Sequence, residues 1–256
     1  MVPKPEIEGG IKSMETAFAI VETIHKRGQV RLTEIADVVG IANSTAFDHL
    51  LTLERHGYVI REDENYRLGL KFLDHGMRAR DHYRTLTETA EPVLEQLVAD
   101  TDETVNLVVE ERSQAVYLIR LTGDRGVPTN SWVGKRKPIH TISAGKSILA
   151  HLSEERVDEI VGADELKTVT GNTIDSRAEL ERELDEIREK GVAFNDRESH
   201  ESIRAVGVPI VLKGTVIGAV SVAGPAKRLR GAYFREEIPE LLQGAANEIE
   251  LKLTYQ

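Results

Sequence analysis

The sequence predicts an α+β fold in two parts, a small helical head ending in a short hairpin and a larger antiparallel sheet covered by helices. Three observations carry that expectation. Residues 13 to 56 hold three apolar helical periodicities, two short β-runs follow across a polar turn, and beyond residue 84 strands come in consecutive runs with helices at the margins. The order contains no repeated strand–helix–strand unit, so a doubly wound parallel sheet is excluded.

In the head, "SMETAFAIVETIHKR" places Met14, Ala17, Phe18, Val21 and Ile24 along one helical face, with Ser13 as N-cap and Gly28 as stop. Leu32, Ile35, Ala36 and Val39 mark a second helix, with Thr33 available to cap it and Gly40 to end it. A third runs from about Asn43 to His56 and turns Ala46, Leu50 and Leu53 inward. The last two flank "GIA", the spacing of a helix-turn-helix. "YVIREDENYRLG" then reads as strands Tyr58 to Arg61 and Tyr66 to Leu68 joined by a polar turn. Helix, helix-turn-helix and hairpin in that order make a winged helix-turn-helix over residues 1–68.

Such a unit is expected to bind double-stranded DNA, its second short helix lying in the major groove. Asn43, Ser44 and Thr45 supply short donors to phosphate or base edges, Phe47, Asp48, His49 and Thr52 supply groove-facing positions, and Thr33 completes the set on the preceding helix. The Asp48 carboxylate repels phosphate, so it accepts from a cytosine amino group or an arginine, or points away. The wing tip Glu62-Asp63-Glu64 is acidic, which argues against minor-groove insertion and leaves backbone contacts to Arg61 and Arg67. The alternative use of a trihelical unit is contact with another protein.

Residues 69–83 continue as a linker helix with Leu70, Leu73 and Met77 on one face. His75 and His82 fall seven apart on it, but no third ligand is in sight, so they read as exposed or interface histidines and no metal is expected. In the second domain, residues 84–256, a helix bearing Leu86, Ala90, Val93, Leu94 and Leu97 precedes a hairpin of "ETVNLVVEE" and "AVYLIRLTG". Helices at about 153 to 162 and 176 to 190 follow, then strands at 192 to 196, 204 to 211 and 215 to 223, and a closing helix at about 232 to 253.

Composition narrows function. The 256 residues contain no cysteine, which removes disulfides, thiolate zinc sites and a cysteine nucleophile. No apolar run approaches the roughly 20 residues of a membrane span, so a soluble cytoplasmic protein is expected. Acidic residues outnumber basic ones, 43 to 33. Residues 1 to 83 hold 13 acidic and 11 basic side chains, so the head is near neutral and the excess acid lies in the second domain, away from any polyanion.

"PIHTISAGKSILAHL" ends its central run in Gly145-Lys146-Ser147, the close of a phosphate-binding Walker loop. That loop requires glycine where His140 stands, and a G-x-S-x-G nucleophile elbow requires glycine where Thr141 stands. What survives is the small-residue turn Ser143-Ala144-Gly145 opening a helix with Ile148 and Leu149 on its apolar face. Its free backbone N–H groups form an anion site suited to a carboxylate; the alternative is an ordinary helix start. No catalytic residues and no cofactor are expected.

The winged helix, "GKRKPIHTISAGKSILAHL" and "GVAFNDRESHESIRAVGVPIVLKGTVIGAVSVAGPAKRL" together resemble the IclR-type family of bacterial and archaeal transcription regulators, from about Ser13 to the C-terminus. The resemblance implies a GAF-like, effector-sensing C-terminal domain, dimers through the N-terminal domains and often tetramers, and a small metabolite, often an organic acid, that alters operator binding. It implies an effector cup lined by Ala144, Gly145, Asn195, Ala205, Ser221 and Ala223. Asn195 falls where some members carry aspartate, Ala205 where cysteine is common and Ala223 where a second serine occurs, so the cup is less polar and roomier. Arg204, Arg136 and His140 stand as further partners for an anionic ligand.

The combined expectation is a homo-oligomeric, ligand-responsive regulator of a pseudo-palindromic operator. The rivals are a DNA-free sensor and an enzyme acting on a small acid, for which Glu198, His200 and Glu201 in "RESHES" are the nearest catalytic candidates.

Overall fold

The computed structural model describes residues 9–126, 131–162 and 166–255. The chain forms two compact units, the first running to His82 and the second beginning at Tyr83.

The first unit comprises α1 (Lys12–Arg27), β1 (Val30–Arg31), α2 (Leu32–Val39), α3 (Asn43–Arg55), β2 (Val59–Glu62), β3 (Asn65–Leu68) and α4 (Lys71–Arg80). The wing is a three-stranded antiparallel sheet in the order β1-β3-β2. Strand β1 escapes a sequence reading because two residues are too few to show an alternation. The core is Ile20, Ile24, Val30, Ile35, Leu50, Val59 and Tyr66. Burying each of its aliphatic side chains stabilises the unit by about 1.5–3 kcal/mol.

Two expectations about the head fail. The N-cap of α1 is Ile11, which puts Ser13 inside the first turn, and the N-cap of α2 is Arg31, whose backbone N–H donates to Glu34 Oε2 at 3.0 Å, so Thr33 caps nothing. Met14 and Phe18 are 50 and 60% exposed; of the expected face Ile24 alone is buried, with Ile20 and Thr23 beside it. This helix carries two apolar faces, and only one is covered by its own unit. On α4, Tyr58 takes the N-terminal half, with its hydroxyl 3.0 Å from His75 Nε2 and its ring against Phe72, while Leu70, Leu73 and Met77 stay exposed. Among the described residues no cluster of His, Cys, Asp and Glu is placed to hold a metal ion.

The second unit begins with α5 (Arg84–Thr101), the hairpin β4 (Thr104–Glu111) and β5 (Gln114–Thr122), and a short β6 (Arg136–Pro138). A 3-10 turn at Ile139–Thr141 leads into α6 (Ser143–Ala150), followed by α7 (Glu154–Val161) and α8 (Arg177–Lys190). Then come β7 (Ala193–Asp196), β8 (Ile203–Leu212), β9 (Thr215–Pro225) and, after a π-helical turn at Tyr233–Glu237, α9 (Ile238–Thr254). The sheet is antiparallel throughout, in the order β6-β5-β4-β9-β8-β7. Arg112 and Ser113 close the β4–β5 hairpin with φ of 54° and 66°, the left-handed pair that a two-residue turn requires.

Helices cover both faces of the sheet. Alternation sends Val105, Leu107, Val206, Val220 and Val222 to the α5–α9 side, where they meet Leu94, Phe234 and Leu242. Val108, Tyr117, Ala193 and Ala219 face Ile148, Leu149 and Leu184 of α6 and α8. A bulge between the pairs Leu107–Ile119 and Val108–Tyr117 inserts Leu118, and so brings Tyr117 and Arg120 onto the α6 side together.

The start of α6 is seated directly on the sheet. A Cβ added to Gly207 would lie 2.6 Å from the Ala144 nitrogen and 2.7 Å from the Ser143 carbonyl carbon, and one added to Gly145 would overlap the Ile139 carbonyl oxygen. Glycine at 145 is therefore a packing residue. Lys146, in turn, is 1% exposed and faces inward to carboxylates, which answers the Walker-loop resemblance: neither residue is free to cradle phosphate.

Candidate functional site

Two candidate sites emerge, one on each unit. On the first, Ala46 and Leu50 anchor α3 in the core, and helical periodicity turns Asn43, Ser44, Thr45, Phe47, Asp48 and Thr52 outward, with His49 half-buried. Thr33 is exposed on α2. The N-cap of α3 is Ala42, which has no side-chain oxygen, and its first helical bond runs from Ala46 N–H to the Ala42 carbonyl. The three N–H groups before it are left to an outside acceptor, an arrangement suited to a phosphate.

The wing is electrically self-contained. Arg67 Nε donates to Glu62 Oε1 at 2.7 Å, Arg61 Nε donates to the Asp63 carbonyl at 3.0 Å, and Arg31 lies 3.8 Å from Glu64. The two arginines expected to meet phosphate are thus engaged within the wing. Any such contact requires these bonds to be exchanged.

On the second unit an open cavity of about 1040 Å³ lies on the α6 side of the sheet, over β4, β5, β7, β8 and β9. Sheet register explains its floor. Arg120, Asn106, Ser221 and Gly207 are successive cross-strand neighbours, and Thr104, Ala223, Ala205 and Asn195 form the next row on the same face. Asn195, Ala205, Ser221 and Ala223 therefore line one cavity, with Ser143 at the start of α6 above them. Ala144 and Gly145 do not line it. They lie behind Ser143, where Ala144 meets Gly207 and Gly145 meets Ile139.

The buried polar groups on this floor divide into two kinds. Asn195 is fully buried and already employed, with Nδ2 donating to the Thr141 carbonyl at 2.7 Å and Oδ1 accepting from the Glu198 N–H at 3.2 Å. It clamps the 3-10 turn and the loop after β7 against the sheet. Asn106, 4% exposed, donates from Nδ2 to Ser221 Oγ at 3.3 Å, while its Oδ1 has no partner among the described residues. Because the Ser221 hydroxyl can give or take a hydrogen, the Asn106 amide can offer either a donor or an acceptor to the cavity. Tyr117 also lines the cavity, and burial pushes its phenol up to about 12, so it stays a neutral hydroxyl.

The expected anion partners are engaged elsewhere. Arg204 grips both oxygens of Asp196 at 2.8 and 3.0 Å over the Phe234 ring, which holds the Asp196 carboxyl below its ordinary value. Arg136 pairs with Glu111. His140 is buried, with Nε2 3.1 Å from the Lys167 carbonyl, and burial lowers its pKa. The cations that alternation does direct to the cavity are Lys137 on β6, Lys135 just before it and Arg120 on β5. A sequence reading misses them because the bulge that re-aims Arg120 and the three-residue β6 leave no periodic trace.

The catalytic candidates do not converge. Lys146 Nζ lies 2.9 and 2.8 Å from the two Glu198 oxygens and 2.7 Å from Glu183 Oε1. Burial pushes the Glu198 carboxyl up, against the pull of Lys146. His200 Nδ1 is 3.0 Å from Ser202 Oγ in its own loop, and Glu201 sits on the cavity rim.

Residues 13–63 match the model of the IclR helix-turn-helix domain, and residues 81–251 match that of the bacterial transcriptional regulator IclR C-terminal domain. A probable HTH-type transcriptional regulator ArcR of Halobacterium salinarum is 32% identical over 95% of this chain and 94% of its own length. The crystal structure of the Thermotoga maritima IclR superposes with a TM-score of 0.78 at 32% identity, covering 95% of this chain and 99% of that one. An IclR homolog from Microbacterium hydrocarbonoxydans, crystallised in complex with 4-hydroxybenzoate, gives a TM-score of 0.81 at 25% identity over 96% of this chain and all of that one. No helix among the described residues is long and apolar enough to cross a membrane. The two matched domains, the winged head and the helix-covered sheet identify the chain as a member of the IclR family, a ligand-responsive, DNA-binding transcription regulator.

Proposed function

We propose that the cavity over Ser221 and Asn106 is the effector site and that its ligand is a small organic acid. The observation that carries this reading is the meeting, on one wall, of the α6 N-terminus with two buried side chains that still have hydrogen-bonding capacity, the Ser221 hydroxyl and the Asn106 amide. A helix N-terminus favours negative charge, and buried polar groups with capacity to spare select a polar ligand group. That the Microbacterium homolog is complexed with 4-hydroxybenzoate, an aromatic acid, supports the same class. The domains divide the work as residues 1–68 for DNA, 69–83 as connector and 84–256 for the effector.

The DNA site in this proposal is the outward face of α3, Asn43, Ser44, Thr45, Phe47, Asp48, His49 and Thr52, with Thr33 beside it. The protein acts as a homo-oligomer in the cytoplasm on a two-fold operator, two recognition helices reaching half-sites about one DNA turn, roughly 34 Å, apart. Ile11, Met14 and Phe18, at the N-cap and on α1, and Leu70, Leu73 and Met77, at the N-cap and on α4, support self-association. Each set recurs at i, i+3 and i+7, and every member is 48% exposed or more. Such stripes on helices suit a second copy of the same surface. The effector acts through the differential affinity of the two DNA-binding arrangements, and DNA shifts effector affinity by the same factor. The protein is not an enzyme in this reading: among the described residues Glu198 is spent on Lys146, and the His200–Ser202 contact lies within one exposed loop at the cavity rim.

Calorimetric titration of the full chain with a panel of small acids, with and without a promoter fragment from upstream of its own gene, tests the assignment. Acid binding that is lost in Ser221→Leu and that changes DNA affinity supports it. Acid binding unaffected by Ser221→Leu overturns the site.

A further inference from the structure

The wall of the cavity along β5 and β6 carries Arg120, Lys135 and Lys137, beside Arg136, which is paired with Glu111. Register places them together. Lys137 sits opposite Ala115, whose side chain is on the α6 face, alternation puts Lys135 on that face too, and the bulge brings Arg120 onto it beside Asn106. Lys135 lies over the Trp132 ring at 4.0 Å, and no carboxylate among the described residues is ion-paired to any of the three. The remaining charged groups on the lining are Glu201, Lys167, Lys227 and the ion-paired Arg136, Arg197 and Arg204. Glu201 is the single acid among these described lining residues.

This concentration of positive charge sits in a protein with ten more acidic than basic side chains. These cations also disfavour one another. Burial, then the charges of Lys135 and Arg120, push the Lys137 pKa down, and burial does the same to Arg120. A monocarboxylate held at the α6 N-terminus and Ser221 would leave most of that repulsion in place, because it supplies one negative charge against three.

Resting on the reading of this cavity as the effector site, we propose that the effector is a dianion, with one anionic group at the α6 N-terminus and Ser221 and a second held by Arg120, Lys135 and Lys137. Arg120 supplies the planar, bidentate donor set and the two lysines supply point charges. Because Arg120 and Asn106 are cross-strand neighbours, the two anionic groups are received side by side along the sheet, within the reach of a short dicarboxylate or a compact aromatic one.

The test is calorimetry on the full chain with ligands matched in shape and differing in charge: terephthalate against its monoamide, succinate against succinamate, and benzoate as a common monoanion. In at least one pair the dianion should bind about tenfold or more tightly than its amide. The double variant Arg120→Gln, Lys137→Gln should bring the dianion down to the affinity of the amide, and the ligand-free melting temperature of the variant should rise as the repulsion is removed. If that variant does not fold, Lys137→Met alone supplies both readouts. Equal affinities within every pair, an affinity ratio unchanged by the substitutions, or a fall in the ligand-free melting temperature would overturn the dianion. Monoanions that bind without charge preference but fail to bind Ser221→Leu would sink this inference and leave the effector site standing. If no acid of the series binds the wild-type protein, both fall.

Discussion

Lys146 Nζ donates to Glu198 Oε1 at 2.9 Å in the interior of the second unit, and this one contact ties α6 to the loop that forms the cavity rim. Glu198 holds that loop at three further points: its N–H donates to Asn195, and its carbonyl accepts from the Thr170 and Thr173 hydroxyls at 3.1 and 2.7 Å. Removing the cation while keeping the carboxylates leaves buried negative charge without compensation. Lys146→Met should therefore destabilise the second unit by about 3–5 kcal/mol, and adding Glu198→Gln should recover part of the loss. Trp132, the single tryptophan, lies in this unit, so urea melts followed by its fluorescence measure the effect. A variant as stable as the wild type would mean that the ion pair only breaks even against an apolar side chain.

The same carboxylate makes a pH prediction. Its pKa is raised in the folded chain, chiefly by burial, so the folded state holds the Glu198 proton more tightly than the unfolded state does. The Glu198 contribution to stability is then fully present below the ordinary glutamate pKa and declines as pH rises through the raised folded value. Subtracting the stability of Glu198→Gln from that of the wild type at each pH isolates this term, and the difference should shrink from pH 4 to pH 7. A difference that grows over the same interval would mean that Lys146 dominates over burial.

A third prediction concerns Gly207. Alanine there must displace the backbone of Ser143 and Ala144, since its Cβ would come 2.6 Å from the Ala144 nitrogen. Neither the sheet nor the helix start can yield cheaply, so Gly207→Ala should cost the few kcal/mol typical of overpacking, about 1–3. It should also abolish acid binding, because the α6 N-terminus lifts away from Ser221. Thermal melts and calorimetry on the same sample separate the two effects; loss of stability with acid affinity intact would place the binding wall elsewhere.

These contacts explain how far the sequence could be read. Helix and strand periodicity made the head and most of the sheet legible, because each element buries one face and period follows burial. Met14 and Phe18 misled because they satisfy the same helical spacing as the core, on a face that the unit leaves exposed. The family resemblance implies Asn195 as a cavity residue, but its clamp on the Thr141 carbonyl depends on a partner 54 positions away, which no local pattern encodes. Arg120 was invisible for a sharper reason. A one-residue bulge reverses the face of every side chain after it, so simple alternation assigns Arg120 to the wrong side of the sheet.

The wing supplies the last prediction. If α3 reads the operator, Ser44→Ala with Thr45→Ala should weaken DNA binding by about 1–3 kcal/mol through two lost hydrogen bonds, while acid binding in the second unit is retained. Arg67 behaves differently, because Glu62 already neutralises it at 2.7 Å. Arg67→Gln should change operator affinity little, whereas Glu62→Gln releases the guanidinium toward phosphate. Each phosphate contact adds about −0.9 to the slope of log affinity against log salt. Fluorescence anisotropy of a labelled promoter fragment across a salt series should therefore show tighter binding and a steeper slope for Glu62→Gln than for the wild type. An unchanged slope would mean that the wing stands clear of the DNA backbone, and that the acidic tip at Asp63 and Glu64 serves to keep it there.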